Sequence, residues 1–283
     1  MSSSTPAPGA PVAPPVCPRH PDRVSYVRCQ RCDRPVCPDC QRPAAVGVQC
    51  VDCVAEAAAQ TRQPRTVLGG QVRAGAPVVT ITIIVINIAA YVLQQVVPGF
   101  TSHWIFSPRI DSHDYVRMLS TAFLHASITH IGLNMVTLWF VGPFLENALG
   151  RIRYAVLYLV CAFGGSVGVV VIAQLTHSWP SGVVGASGAI FGLFGAVFAV
   201  MRRMGGDIRS ILTLIVLNLV LGFVVANISW QAHVGGLVTG AVLAAAYAYA
   251  PRKWQKATAW VAPIVVVALL VLALRAAYAA AGL

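Results

Sequence analysis

From Ala76 to the C-terminus the chain alternates apolar runs of about twenty residues with short polar breaks. A helical run of that length matches the apolar thickness of a bilayer. The pattern predicts seven spans, at roughly 77–97, 120–145, 153–175, 186–203, 208–226, 231–250 and 259–281. The fourth is short and rich in glycine. Ahead of the spans the pattern changes twice. Residues 1–16 are dominated by Ser, Thr, Pro, Ala and Gly; they lack the basic and apolar regions of a secretory signal and read as a disordered tail. Residues 17–54 have almost no aliphatic core, and residues 55–75 read as a short helix and a basic linker carrying Arg62, Arg65 and Arg73. The expected fold is an all-α polytopic membrane protein: a six-helix core over 76–250, a loop and seventh transmembrane helix over 251–283, and a small N-terminal domain.

Composition supports this. The chain has 283 residues, of which 57% are hydrophobic and 10% charged, against about 25% charged in a soluble domain. The net charge of +11 would suit a nucleic-acid binder, but its distribution excludes that class. Nine of the twenty Lys and Arg residues precede residue 74, and most others sit in short loops between spans. Loops after the second, fourth and sixth spans hold Arg151 and Arg153, then Arg202, Arg203 and Arg209, then Arg252, Lys253 and Lys256. The first loop holds only Arg109 and Arg117. Basic loops stay in the cytoplasm, so the N-terminus is expected there, and spans two, four and six run inward. Sparse Lys beside abundant Ala, Val and Arg points to the plasma membrane of a bacterium.

The small domain has its own chemistry. Seven of the eight cysteines lie between residues 17 and 53 and, with His20, form four pairs: Cys17/His20, Cys29/Cys32, Cys37/Cys40 and Cys50/Cys53. A two-residue gap lets both side chains of a turn reach one ion, and tetrahedral zinc takes four such donors. Eight donors make two closed structural sites. Disulfides fit less well, since seven cysteines are odd and a histidine completes the set. Cys17, His20, Cys37 and Cys40 are expected to hold one Zn²⁺, and Cys29, Cys32, Cys50 and Cys53 the other. This interleaving resembles the cross-braced B-box type of zinc finger, a resemblance that implies a cytoplasmic protein partner.

Within the membrane region the polar residues fall at one depth. His130 and Asn134 lie in the outer half of span two, Ser187 at the outer end of span four, and His233 at the outer end of span six. One such residue alone reads as packing, and Gly and Ser at four-residue spacing in span four equally suit close helix contact. Three spans bringing polar groups to one level suit acyl transfer, with Ser187 as nucleophile and His233 as its base. Asp111, Asp114, Glu146 and Asp207 lie in loops or at span ends, so a Ser–His dyad is expected rather than a triad. His130 and Asn134, four apart on one helix face, could donate to an oxyanion. His125, five residues before His130, is expected to face elsewhere, as a loop or interface packing residue. His103, His113 and His177 read as solvated, and Cys161 as a small core residue.

These motifs, His125-Ala-x-x-x-x-His130-x-x-x-Asn134, Gly-x-Ser187-Gly and Ala-His233-x-Gly-Gly, resemble those of the rhomboid family of intramembrane serine proteases over about residues 76–250. The resemblance implies Ser187 as nucleophile, His233 as base, His130 and Asn134 at the oxyanion, and cleavage of a substrate's transmembrane segment near its outer end. Val116-Arg117 stands where the family often has Trp-Arg. Two other readings use the same residues: a catalytically silent relative that binds membrane clients, and a small transporter, whose site would lie nearer the midplane. A metal-dependent intramembrane protease would need a His-Glu-x-x-His set, which the membrane region lacks.

Overall fold

The computed structural model describes residues 13–60, 66, 68–70, 75–110, 114–224 and 228–283. Most of the expected tail, and Arg62, Arg65 and Arg73 of the expected linker, lie outside those residues. The chain divides into two compact units, Met1–Gln63 and Pro64–Leu283.

The first unit is built around sulfur. Strands β1 (Val16–Cys17) and β2 (His20–Val24) pair antiparallel, as do β3 (Gln41–Pro43) and β4 (Val48–Cys50), and helix α1 (Val51–Gln60) follows. Cys17 and His20 face each other across the first hairpin, and Cys37 and Cys40 bracket a 3-10 turn. Cys50 ends β4, and Cys53 falls in the first turn of α1. The buried core is Val36 with six of the seven cysteines. The eight donors form two clusters, Cys17/His20/Cys37/Cys40 and Cys29/Cys32/Cys50/Cys53, whose ligand atoms lie within 4.8 Å of one another. The Cys37 backbone N–H pulls the Cys17 thiol down to about 6, whereas burial pushes the Cys40 thiol up to about 11.

The second unit is helical: α2 (Val78–Val96), α3 (Phe100–Trp104), α4 (Tyr115–Ser120), α5 (Ile128–Leu149), α6 (Arg151–Thr176), α7 (Ser187–Met204), α8 (Arg209–Val224), α9 (Trp230–Tyr249) and α10 (Gln255–Ala281). Among the described residues, α2, α5, α6, α7, α9 and α10 are long and apolar enough to cross a membrane, which makes this a multi-pass integral membrane protein. The fifth expected span, α8, has 16 residues, or about 24 Å of helix. The expected second span begins later than its hydropathy suggests. Residues 115–123 form α4 and a 3-10 turn, and α5 starts only at Ile128, where the Ser127 Oγ accepts the His130 N–H at 3.1 Å. A serine N-cap satisfies one of the orphan donors of a first turn, so polarity at Ser127 sets a boundary that an apolar average runs through.

Three helices form the centre, and glycine sets their spacing. A Cβ added at Gly236 would overlap the Gly188 carbonyl oxygen, and one at Gly240 the Gly192 oxygen. Partner numbers rise together, so α7 and α9 run parallel, and α8 must carry the chain back between them. The contacts of α6 with α9 run the other way: Gly164 meets Thr239, and a Cβ at Gly168 would lie 2.5 Å from the Gly235 Cα. With α5 joined to α6 through Gly150 alone, the C-terminal ends of α5, α7 and α9 share one face of the unit. The basic loops lie on that face, where the Arg203 Nε donates to the Ala248 carbonyl at 3.1 Å.

At the same face Glu146 of α5 caps α2. Its carboxylate accepts the N–H of Val79 at 3.0 Å, and the N–H and hydroxyl of Thr80 at 2.9 Å each; Arg151 lies 3.6 Å away. Glu146 is 5% exposed, and a buried carboxylate is tolerated only with such partners. Carboxylate at a helix N-terminus also complements its dipole.

Close approach along α7 and α9 has a direct test. Gly236→Leu, or Gly192→Leu, is expected to separate the helices and lower the thermal unfolding midpoint of the detergent-purified protein. A Gly236→Leu protein that melts with the wild type would contradict the packing of these two faces.

Candidate active site

Ser187 is the first residue of α7, and the loop before it is pinned on both sides. Phe106 and Val183 form an isolated bridge, with the Val183 N–H donating to the Phe106 carbonyl at 3.0 Å. Buried Thr121 accepts at its Oγ from the Phe106 N–H and donates that hydroxyl to the Val183 carbonyl, while its own carbonyl accepts the Gly185 N–H at 3.0 Å. Gly185 has φ +129°, a region that side chains rarely enter. A Cβ there would lie 2.9 Å from the His130 Nε2 and 3.6 Å from the Ser187 Oγ. Glycine is therefore required twice at this position, for its dihedral and for the imidazole that occupies the space. The N–H of Ser187 lies in a first helical turn, where no carbonyl of the same helix can reach it.

His233 occupies the first turn of α9, and its Nε2 lies 2.9 Å from the Ser187 Oγ. Two parallel helices that meet along glycine put these first turns side by side. The imidazole stacks on Phe191, with centroids 4.0 Å apart and planes 7° from parallel. Phe191 is four residues after Ser187 and so lies on the same face of α7. The Nδ1 of His233 is buried without a hydrogen-bond partner among the described residues. Among the described residues no carboxylate contacts the ring; the flat face of Phe191 orients it.

His130 and Asn134 sit at the N-terminal end of α5. The Ala126 N–H donates to the His130 Nδ1 at 3.4 Å. An N–H can only donate, so in neutral His130 the ring proton belongs on Nε2, the nitrogen beside Gly185. The Asn134 Nδ2 donates to the His130 carbonyl at 2.8 Å and carries a second hydrogen. His125 corrects one expectation. It lies before α5, as a loop residue should, but its ring does not face elsewhere: it packs edge-on against His130 with centroids 5.2 Å apart. Its backbone is held from α2: the Gln94 Oε1 accepts the His125 N–H at 2.8 Å, and the Gln94 Nε2 donates to its carbonyl at 3.3 Å.

His103 and His177 are exposed, and His113 lies outside the described residues. Cys161 is buried where a Cβ on Gly192 would overlap it. Three contributors escape a reading of the sequence, Phe191, Thr121 and Gln94, whereas Gly185 is the first glycine of the Gly-x-Ser187-Gly motif. Of the three only Phe191 had a usable signal, its four-residue distance from Ser187. The others act through contacts between segments far apart in the chain.

The arrangement can be set beside known proteins. Residues 112–250 match the model of the Rhomboid domain. Rhomboid protease GluP of Bacillus subtilis (strain 168) is 32% identical over 187 residues, which cover 61% of this chain and 35% of that protein. RHOMBOID-like protein 4 of Arabidopsis thaliana is 37% identical over 134 residues, 45% of this chain and 32% of the relative. Rhomboid protease GlpG of Yersinia enterocolitica is 31% identical over 183 residues, 61% of this chain and 63% of the relative. The chain thus spans about a third of the length of the first two relatives. Residues 112–250, which contain Ser187, His233, His130 and Asn134, are thus a domain of the rhomboid family.

Proposed function

We propose that this chain is an intramembrane serine protease that cuts transmembrane segments of other membrane proteins with Ser187 and His233. The observation that carries the reading is the 2.9 Å separation of the Ser187 Oγ and the His233 Nε2 at adjoining first turns of parallel helices. The family of the matched domain supports it, as do the relatives named as proteases.

The chemistry follows from the donors. The His233 Nε2 takes the Ser187 proton as Oγ attacks the scissile carbonyl carbon. The resulting oxyanion is met by the His130 Nε2–H, the Asn134 amide and the Ser187 N–H, at the positive end of α7. Collapse breaks the C–N bond, and His233 returns its proton to the leaving amine. Water then repeats the sequence on the acyl-serine. Stacking on Phe191 fixes the imidazole plane in the role an acid has in a triad. By the positive-inside rule the face bearing Arg151, Arg202 and Arg252 is cytoplasmic. The dyad then lies near the outer face, where a substrate helix end can unwind into it.

For the small unit we assign zinc. Tetrahedral Zn–S bonds of about 2.3 Å give S···S edges of about 3.8 Å. The Cys32 and Cys50 sulfurs are 3.8 Å apart, and the His20 Nδ1 lies 3.3, 3.4 and 3.9 Å from the sulfurs of Cys37, Cys40 and Cys17. Bound zinc would supply folding free energy, on the order of 10 kcal/mol per site. Four protein donors per cluster leave no open position for catalysis.

Three outcomes are expected. Ser187→Ala and His233→Ala should each reduce cleavage of a reconstituted membrane substrate to background, and Ser187→Ala should abolish labelling by a fluorophosphonate. Retention of more than a few per cent of activity in clean Ser187→Ala protein would end the serine-protease reading. Asn134→Ala should slow turnover by about a hundredfold, the usual loss for one oxyanion donor, while leaving a measurable rate; an unchanged rate would remove Asn134 from the site. Metal analysis of the full chain should find two zinc ions, and a single Cys32→Ser change should lose one of them. A value of one in the wild type would contradict the paired clusters.

A further inference from the structure

On the basic face, opposite the dyad, the membrane unit contains a cavity of about 690 Å³, within the range of small-molecule sites. Its walls come from the N-terminal ends of three helices: α2 at Pro77, α6 at Gly150 and Arg151, and α10 at Lys256. Helix N-termini carry positive partial charge. That of α2 is already neutralised by Glu146, the one acid among the described lining residues. Those of α6 and α10 add to three cationic side chains, Arg151, Arg153 and Lys256.

The cations differ in freedom. Arg153 is a fixed wall: its Nη2 donates to the Gln255 carbonyl at 3.1 Å, its Nη1 donates to the Leu68 carbonyl, and its guanidinium lies over the Tyr247 ring. Arg151 is anchored through Nε to Glu146 and is about one-third exposed at its side chain. Lys256 is exposed and makes no ion pair among the described residues. Thr66 and residues 68–70 close the far side. The Thr66 hydroxyl donates to the Ala148 carbonyl at 2.7 Å, Leu68 is buried, and a Cβ on Gly70 would lie 2.6 Å from the Leu149 carbonyl carbon. Apolar residues line the cavity beside the cations too, at Leu149, Ile152 and Ala257, and continue to Val156 and Trp260, five residues into α6 and α10 and about 7 Å deeper along each helix.

We infer that this cavity binds the phosphate headgroup of an anionic phospholipid from the leaflet at the basic face. Arg151 and Lys256 would contact the phosphate, Arg153 would contribute fixed charge, and the acyl chains would leave along Val156 and Trp260. A phosphate matches three cations and two helix ends that share one neutralised acid. A cavity whose cations stand at the helix starts and whose apolar lining continues deeper suits a molecule with that same polarity gradient. Basic pockets between transmembrane helices at this level bind such headgroups elsewhere. Part of the wall, Gly69, Gly70, Pro77 and Lys256, lies outside residues 112–250, while Glu146, Arg151 and Arg153 lie within them, so the site straddles the edge of the matched domain.

The test uses the full chain in detergent and does not depend on protease activity. Native mass spectrometry would compare phosphatidylglycerol and phosphatidylcholine with identical acyl chains. Retention of one tightly held phosphatidylglycerol, in preference to phosphatidylcholine, is expected. Lys256→Gln should weaken that binding about fivefold, the effect of one surface cation near anionic lipid, and Lys256→Glu more. Lys256 is exposed, so both variants should fold; Lys253→Gln, a neighbouring cation outside the cavity lining, should change nothing. Equal retention of the two lipids, or unchanged affinity in Lys256→Gln, would overturn the site. Inorganic phosphate alone raising the melting midpoint as much as phosphatidylglycerol would overturn the lipid assignment, because the cavity would then be reading a free anion.

Discussion

The near-contact of backbone with backbone along α6, α7 and α9 is the constraint from which the rest of the membrane unit follows. Nine glycines lie on these helices at Gly164, Gly165, Gly168, Gly188, Gly192, Gly195, Gly235, Gly236 and Gly240. By intrinsic propensity they cost on the order of 9 kcal/mol against alanine. In lipid no hydrophobic drive exists to press helices together, and association rests on dispersion and close fit. Glycine provides that fit. Because the α7–α9 register is parallel, two first turns adjoin, and a hydroxyl and an imidazole become neighbours without any loop bringing them together.

Around that scaffold the loops set the finer geometry. Thr121 joins the Phe106 and Val183 segments and holds the Gly185 N–H. The approach to Ser187 is thereby fixed before α7 begins. A left-handed Gly185 lets His130 come beside it. The same economy recurs at the opposite face, where Glu146 satisfies the start of α2 and Arg151 balances its charge. In both places a polar group that would be expensive in isolation is surrounded by donors from a distant segment.

The two units solve the folding problem differently. The helical unit buries long apolar stretches, with Tyr154, Tyr158 and Tyr247 among its fully buried side chains. The small unit has two short hairpins and a core made almost wholly of cysteine, too little apolar area to offset chain entropy on its own. Its order is tied to whatever holds the two Cys/His clusters together. Helical packing, in contrast, is set by lipid and by glycine.

What the sequence determined by itself was whatever has a short period or a fixed spacing. Runs of twenty apolar residues marked the membrane helices, because bilayer thickness imposes that length. Four two-residue gaps marked the eight Cys/His donors, and the motifs around His130, Ser187 and His233 marked the candidate site. The tertiary structure decided everything that depends on which distant segments meet. Hydropathy extended the second span back to 120, since it averages over the Ser127 cap that starts the helix at Ile128. Spacing also placed His125 away from His130, on the assumption of one continuous helix; a break at residues 124–127 turns its ring back against that neighbour. Phe191 under the His233 ring, Thr121 behind Ser187, and the cavity formed by Arg151, Arg153 and Lys256 arise from helices tens of residues apart. No local pattern encodes such meetings, because they are fixed by register and close packing, which exist only once the chain has folded.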